Sequence, residues 1–164
     1  MEKSEAEQLR PDLWAIVNER YPGSMITKDD LIPLVALKKP LSESRLCFVS
    51  TAGVQPIGTL PFDTSHPVGD YTFRRVPSDS KASDLEIHQL KYPTFGAEKD
   101  LNVIFPIERL QELASEKIIG ELAENFFSFI GYNMDAERFE QTLAEDIAEA
   151  VAGEKPDVVL LSPA

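Results

Sequence analysis

The chain has 164 residues, 43% of them apolar and 27% charged, which is enough to build one globular domain and argues against wholesale disorder. Net charge is −12, and residues 106–164, with 13 acidic and 4 basic side chains, carry −9 of it; such a surface repels nucleic-acid phosphates and anionic lipid. No apolar run approaches the roughly 20 residues that span a bilayer, and the first residues lack the apolar stretch of a signal peptide, so the expected location is cytoplasmic, with no membrane and no nucleic-acid partner.

Residues 1–41 read as a helical lead-in. Leu9, Leu13, Ile16 and Val17 repeat at helical spacing beside Trp14, and Pro22-Gly23 ends the run. Thr27 to Asp30 form an imperfect capping box before Leu31, Leu34 and Val35, and Pro33 keeps that element short. Residues 42–164 form the second part, an α/β domain continuous with the lead-in as one structural unit.

The first strand is Arg45 to Thr51, whose run Leu46-Cys47-Phe48-Val49 suits burial on both faces, as in a parallel sheet. Residues 53–70 contain three Pro and three Gly and read as a long loop, a length that usually serves function. Tyr71 to Val76 reads as a strand and Leu85 to His88 as a shorter one, with Leu101 to Phe105 a further apolar run. Pro106 opens a helix to about Lys117, with Ile107, Leu110, Leu113 and Ala114 on one face and Gly120 as its end. Residues 126–132 are a strand or a core-packed turn. Asp135 caps a helix over 136–152 whose apolar face is Ala136, Phe139, Leu143, Ile147, Ala150 and Val151, with Gly153 as its stop. Residues 156–162 read as a buried strand. The order predicts a single α/β domain with a mixed, partly parallel sheet flanked by helices, and such folds place chemistry beyond the carboxyl ends of their strands.

Taken in order, several segments resemble the selenoprotein B subunit family of glycine, sarcosine, betaine and D-proline reductases, nearest its D-proline branch. They are Lys39 to Gly53, Gly69 to Pro77, Asp84 to His88, Asn102 to Leu110, Ile118 to Leu122 and Pro156 to Ser162. The resemblance implies a selenocysteine or cysteine nucleophile just after a strand like 157–162. It would act on a small amino acid or amine activated by a pyruvoyl group on a partner subunit. That nucleophile is absent from the chain, so truncation at a UGA codon, a natural short relative or a deliberate boundary are the readings, and the chain alone is expected to be inactive. Self-association into a homo-oligomer is a second expected arrangement.

Candidate site residues are few. His88 matches the family's histidine and is the candidate for holding a proton or orienting a substrate carboxylate; a structural histidine is the competing reading. Thr51 and Gly53 follow the first strand, where a hydroxyl and free amides suit an anionic group, against an ordinary turn. Arg74 and Arg75 point to opposite faces; Arg74 is a candidate for a substrate carboxylate and Asp70 its local partner, against a plain ion pair. His66 has weaker support. Cys47, the only cysteine, sits between apolar neighbours and reads as core rather than nucleophile. Two separated histidines and a lone cysteine predict no metal site and no cofactor. The competing functions are a reductase fragment, a non-catalytic small-molecule-binding or assembly module, and a free-standing enzyme using Cys47.

Overall fold

A computed structural model describes residues 15–17, 19–20, 22, 35–89 and 92–164. Residues 15–17 and 19–20 are helical; the rest of the helical stripe around Leu9 and Leu13 and the Thr27–Asp30 cap lie outside the described residues.

The strands are β1 (Arg45–Ser50), β2 (Val54–Pro56), β3 (Phe73–Pro77), β4 (Leu85–Ile87), β5 (Glu121–Leu122), β6 (Asn125–Phe129) and β7 (Val158–Ser162). Helix α1 spans Ile107–Ser115. Helix α2 covers 136–153 as three continuous pieces, Ala136–Arg138, a π-helical stretch Phe139–Ala144, and Glu145–Gly153.

β1 is the centre of the sheet. β7 lies parallel to it from Leu46↔Val158 to Ser50↔Ser162. On the other side β5 and β6 run parallel to β1 as one interrupted line, with Arg45 opposite Glu121 and Ser50 opposite Ser128. The register shifts by two residues between them, and Ala123 N–H bonds Leu46 O at 2.8 Å within the interruption. β3 closes this edge antiparallel to β6. β2 and β4 pair separately as an antiparallel ribbon. The mixed, partly parallel sheet expected from the element order is therefore present, and residues 45–50 and 158–162 are direct neighbours in it.

Alternation along the strands splits the core between two faces. Leu46 and Phe48 of β1 and Phe126 of β6 pack with Phe105 and with Ile107 and Leu110 of α1. Cys47, Val49 and Phe127 pack on the opposite face with Leu143, Ile147 and Ala150 of α2. Phe48, Phe105 and Phe126 meet edge to face, Phe48 lying 5.1 and 5.8 Å from the other two rings, contacts that add about 0.5–1.5 kcal/mol each beyond area burial. Asp135 caps α2 by accepting from Arg138 N–H at 3.0 Å.

Three sequence expectations need correction. Residues 53–70 are not all loop, because Val54–Pro56 pair with β4; their Pro and Gly neighbours hide the strand. Gly120 and Gly153 are not the helix stops: Lys117 and Lys155 take the left-handed turn, at φ 60° and 52°. Finally, β7 is not buried. It is an edge strand with Leu161 70% exposed, because β1 covers only one of its sides and no described element lies against the other.

At the amino-terminal end of β1 the charges lock the sheet. Arg45 N–H bonds the Asp157 carboxylate at 2.8 Å, and its guanidinium reaches Glu154 O at 2.8 Å and Glu121 at 3.0 Å. Lys39 Nζ lies 2.7 Å from Asp157. Glu154 also accepts from Glu124 N–H and the Asn125 amide, each at 2.9 Å. Burial works to raise the Glu154 pKa, but these hydrogen bonds and Arg45 carry it below its ordinary value.

Candidate functional site at the carboxyl ends of the parallel strands

The chain runs from β1 to β5/β6 on one side by way of α1, then crosses by way of α2 to β7 on the other side of β1. The connections that leave β1 and its neighbour β6 thus run in opposite directions and over opposite faces. This is a topological switch point, where open α/β sheets form their ligand crevice. Thr51 follows β1 at this point and Ala164 follows β7. Thr51 N–H bonds Ser162 O at 3.3 Å, and the Ala164 N–H donates to the Thr51 hydroxyl at 2.8 Å. The nearby Gly131 N–H bonds Thr51 O at 3.3 Å.

Gly53 takes φ +65°, and a Cβ there would stand 2.6 Å from His88 O. Only glycine lets the two segments pass this closely. His88 N–H bonds Gly53 O at 2.8 Å, and the Tyr92 hydroxyl bonds Ala52 O at 3.1 Å. Burial raises the Tyr92 pKa. The structure therefore brings Thr51, Gly53 and His88 together at one end of the sheet. The amides after β1 are not free, however. Ala52 N–H bonds the Ser50 hydroxyl, Gly53 N–H bonds Phe129 O, and Val54 N–H bonds the Ser128 hydroxyl. The expected anion-binding amides are spent on holding the turn, and the Thr51 hydroxyl is itself engaged with Ala164, accepting from its N–H and donating to its carbonyl oxygen at 3.4 Å.

Asp70 and Arg74 form a second group. Asp70 is nearly buried and accepts from Asp63 N–H at 2.7 Å, Thr72 N–H at 2.8 Å and the Thr72 hydroxyl. Arg74 donates to Leu60 O at 2.9 Å and the Thr72 hydroxyl at 2.8 Å, and its guanidinium lies 4.1 Å over the Phe62 ring. Burial lowers the Arg74 pKa while the Asp70 charge opposes that shift. The two residues communicate through Thr72 and fasten the 57–70 loop onto β3. Arg75 lies on the other face, over Phe127 at 5.2 Å, as alternation requires. The loop brings exposed His66 beside Asp70, Gln89, Ile130 and Tyr132, around a small cleft next to the strand ends.

Sequence reasoning missed Gln55, Glu86 and Tyr92. Glu86 and Gln89 border a cavity of about 690 Å³, which lies beside β4 and is also lined by Ile87, Leu101, Asp100 and Glu108. Cys47 is fully buried and its thiol is pushed up to about 12, first by burial and then by the Glu154 charge. Its environment is that of a core residue. Among the described residues no helix is long and apolar enough to cross a membrane.

These features define a doubly wound α/β domain in which the carboxyl ends of β1 and β7 lie side by side, joined through Thr51 and Ala164. Residues 18–164 match the family model of glycine/sarcosine/betaine reductase selenoprotein B, and the chain belongs to that family. It is 31% identical over 124 residues to the D-proline reductase subunit gamma of Acetoanaerobium sticklandii, covering 76% of this chain and 50% of that protein. It is 24% identical over 145 residues to the glycine reductase complex component B subunit gamma of Peptoclostridium acidaminophilum, covering 87% and 32%. The same subunit of Carboxydothermus hydrogenoformans is 24% identical over 124 residues, covering 72% and 28%. The chain thus spans about half or less of the length of these relatives. No solved structure matches it significantly.

Proposed function

We propose that the crevice at the ends of β1 and β7 is the substrate site of a subunit of a dithiol-dependent reductase acting on a small amino acid or amine. The observation that carries this reading is the hydrogen bond between Thr51 and Ala164 at the switch point. A selenocysteine or cysteine placed directly after a strand like β7, as the family resemblance implies, enters the crevice beside Thr51 and within the neighbourhood of Gly53 and His88. There Thr51 supplies a hydroxyl to the substrate, and His88 holds a proton or orients a carboxylate. Asp70 and Arg74 fix the loop that borders the cleft. A selenolate suits the chemistry because it is ionised at neutral pH, whereas an ordinary thiol has a pKa of about 8.5. A partner subunit carrying a pyruvoyl group activates the substrate; the relatives are themselves named as subunits of reductases.

One observation favours the alternative of a non-catalytic binding or assembly module. The only cysteine in the sequence is buried in the sheet, so the chain as given carries no accessible sulfur nucleophile. Two experiments separate the readings. In the nucleotide sequence after codon 164, an open frame that continues with UGA and a selenocysteine insertion element, or with a cysteine codon, favours the reductase, whereas another stop codon with no coding sequence beyond it favours the module. A dithiol-dependent assay on D-proline, glycine and betaine is expected to show no turnover for this chain alone; robust turnover without other subunits would overturn the assignment of the nucleophile to the position after β7.

A further inference from the structure

We infer that Gln55 and Glu86 are positioning residues that hold the His88 imidazole with its Nδ1 free to accept a proton, an arrangement that deepens, and rests on, the reading of the crevice as a reductase site. Gln55 on β2 stands directly opposite Glu86 on β4. Its side chain is fully buried, although it is polar and lies on a two-stranded ribbon. The amide Nε2 donates to Glu86 Oε1 at 3.1 Å and to Thr59 O at 3.3 Å, while Oε1 has no hydrogen-bond partner. Turning the amide over would set Oε1 against the carboxylate, so the donor must face Glu86.

Glu86 Oε1 in turn lies 3.2 Å from His88 Nε2. The two residues are two apart in extended chain and so share one side of the strand. The backbone of His88 is fastened to Gly53 O at the turn after β1. The imidazole is therefore held at both ends, by its backbone to the crevice and by Nε2 to Glu86.

A buried glutamine with an unpartnered acceptor costs free energy that an aliphatic side chain at the same ribbon position would not. Shape alone thus favours an apolar residue at 55. What the amide adds is direction: it fixes one carboxylate oxygen, and that same oxygen faces His88. In a neutral His88 whose proton sits on Nε2, facing Glu86, the Nδ1 lone pair is the remaining acceptor. When a substrate ammonium or a thiol gives up its proton, its N–H or S–H bond breaks and an Nδ1–H bond forms. The imidazolium is then balanced by the Glu86 carboxylate. Glu86 borders the 690 Å³ cavity and its side chain is 37% exposed, so it is reachable by solvent, whereas Gln55 is fully buried.

The test is proton and nitrogen NMR of the two histidines in the isolated chain, with exposed His66 as the internal reference. The expected result is an exchange-protected Nε2–H on His88, downfield of the amides, and no such signal from His66. Gln55→Leu should keep the fold, by circular dichroism and melting temperature, and raise the exchange rate of that proton roughly ten- to a hundredfold, the worth of one hydrogen bond to a charged group. Should Gln55→Leu fail to fold, Glu86→Ala serves as the second variant, and the protected signal should vanish. Absence of a protected His88 Nε2–H in the wild type overturns the inference, as does a signal that persists unchanged in the folded variant. Because this readout needs neither substrate nor partner, its failure is separate from failure of the reductase reading, which the turnover and coding-sequence experiments decide.

Discussion

The Ala164 N–H donates to the Thr51 hydroxyl across 2.8 Å, joining residues 113 positions apart at the carboxyl ends of β1 and β7. A side chain, rather than the sheet ladder, makes this closure. Thr51→Val keeps the shape but leaves the amide without its acceptor. We expect a loss of about 0.5–1.5 kcal/mol in urea unfolding, with Thr51→Ser retaining most of the stability. Equal stability of the valine and serine variants would show that the contact contributes nothing.

Gly53 is constrained twice, by its φ of +65° and by the His88 carbonyl that a Cβ would meet at 2.6 Å. Gly53→Ala is expected to destabilise the fold by about 1–3 kcal/mol. Gly58 is a control: it also has positive φ, at +83°, but faces open space. Alanine at 58 should cost less than alanine at 53 in the same denaturation experiment.

Glu154 makes stability depend on acidity. Its folded pKa lies below its ordinary value of 4.5, so the stabilisation is fully present above that value and is lost as pH falls through the lower, folded one. Asp157, whose carboxyl is held down by the Arg45 backbone N–H and by Lys39, titrates in the same direction. Melting temperature should therefore fall steeply below about pH 4.5. Glu154→Gln should melt lower at neutral pH and show a shallower acid decline. An unchanged acid slope in that variant would remove Glu154 from the account.

Cys47 is fully buried, and its thiol is pushed up to about 12 by burial and the nearby Glu154 charge. Alkylation by iodoacetamide at neutral pH should be slow in the folded protein and fast in denaturant, where the thiol returns to its ordinary value of about 8.5. Rapid labelling of the folded protein would restore Cys47 as a candidate nucleophile.

Much of the fold was legible from local pattern. The consecutive apolar residues 46–49 specified a strand covered on both faces, and the 136–152 stripe with Asp135 before it specified a capped helix, because burial and capping act on neighbouring residues. The π-helical stretch Phe139–Ala144 inside that helix was not legible, since its apolar spacing of four fits either winding. Of the site, Thr51, Gly53 and His88 were readable as the ends of short strands. Gln55 was not: a glutamine in a Pro- and Gly-rich stretch looks solvated until β4 pairs with it and the 56–59 turn covers it.

The sequence by itself determined which residues alternate into a core, where the helices begin, and that Cys47 is a core residue, because each depends on side-chain chemistry within a few positions. Only the tertiary structure decided that β7 lies at an exposed edge, that the amides of residues 52–54 are consumed, and that Arg74 holds a loop rather than facing open solvent. Those outcomes depend on which distant segment arrives as a hydrogen-bond partner. A strand of apolar residues reads alike at the centre of a sheet or at its rim, since the difference lies in how many neighbours it has and not in what it is made of.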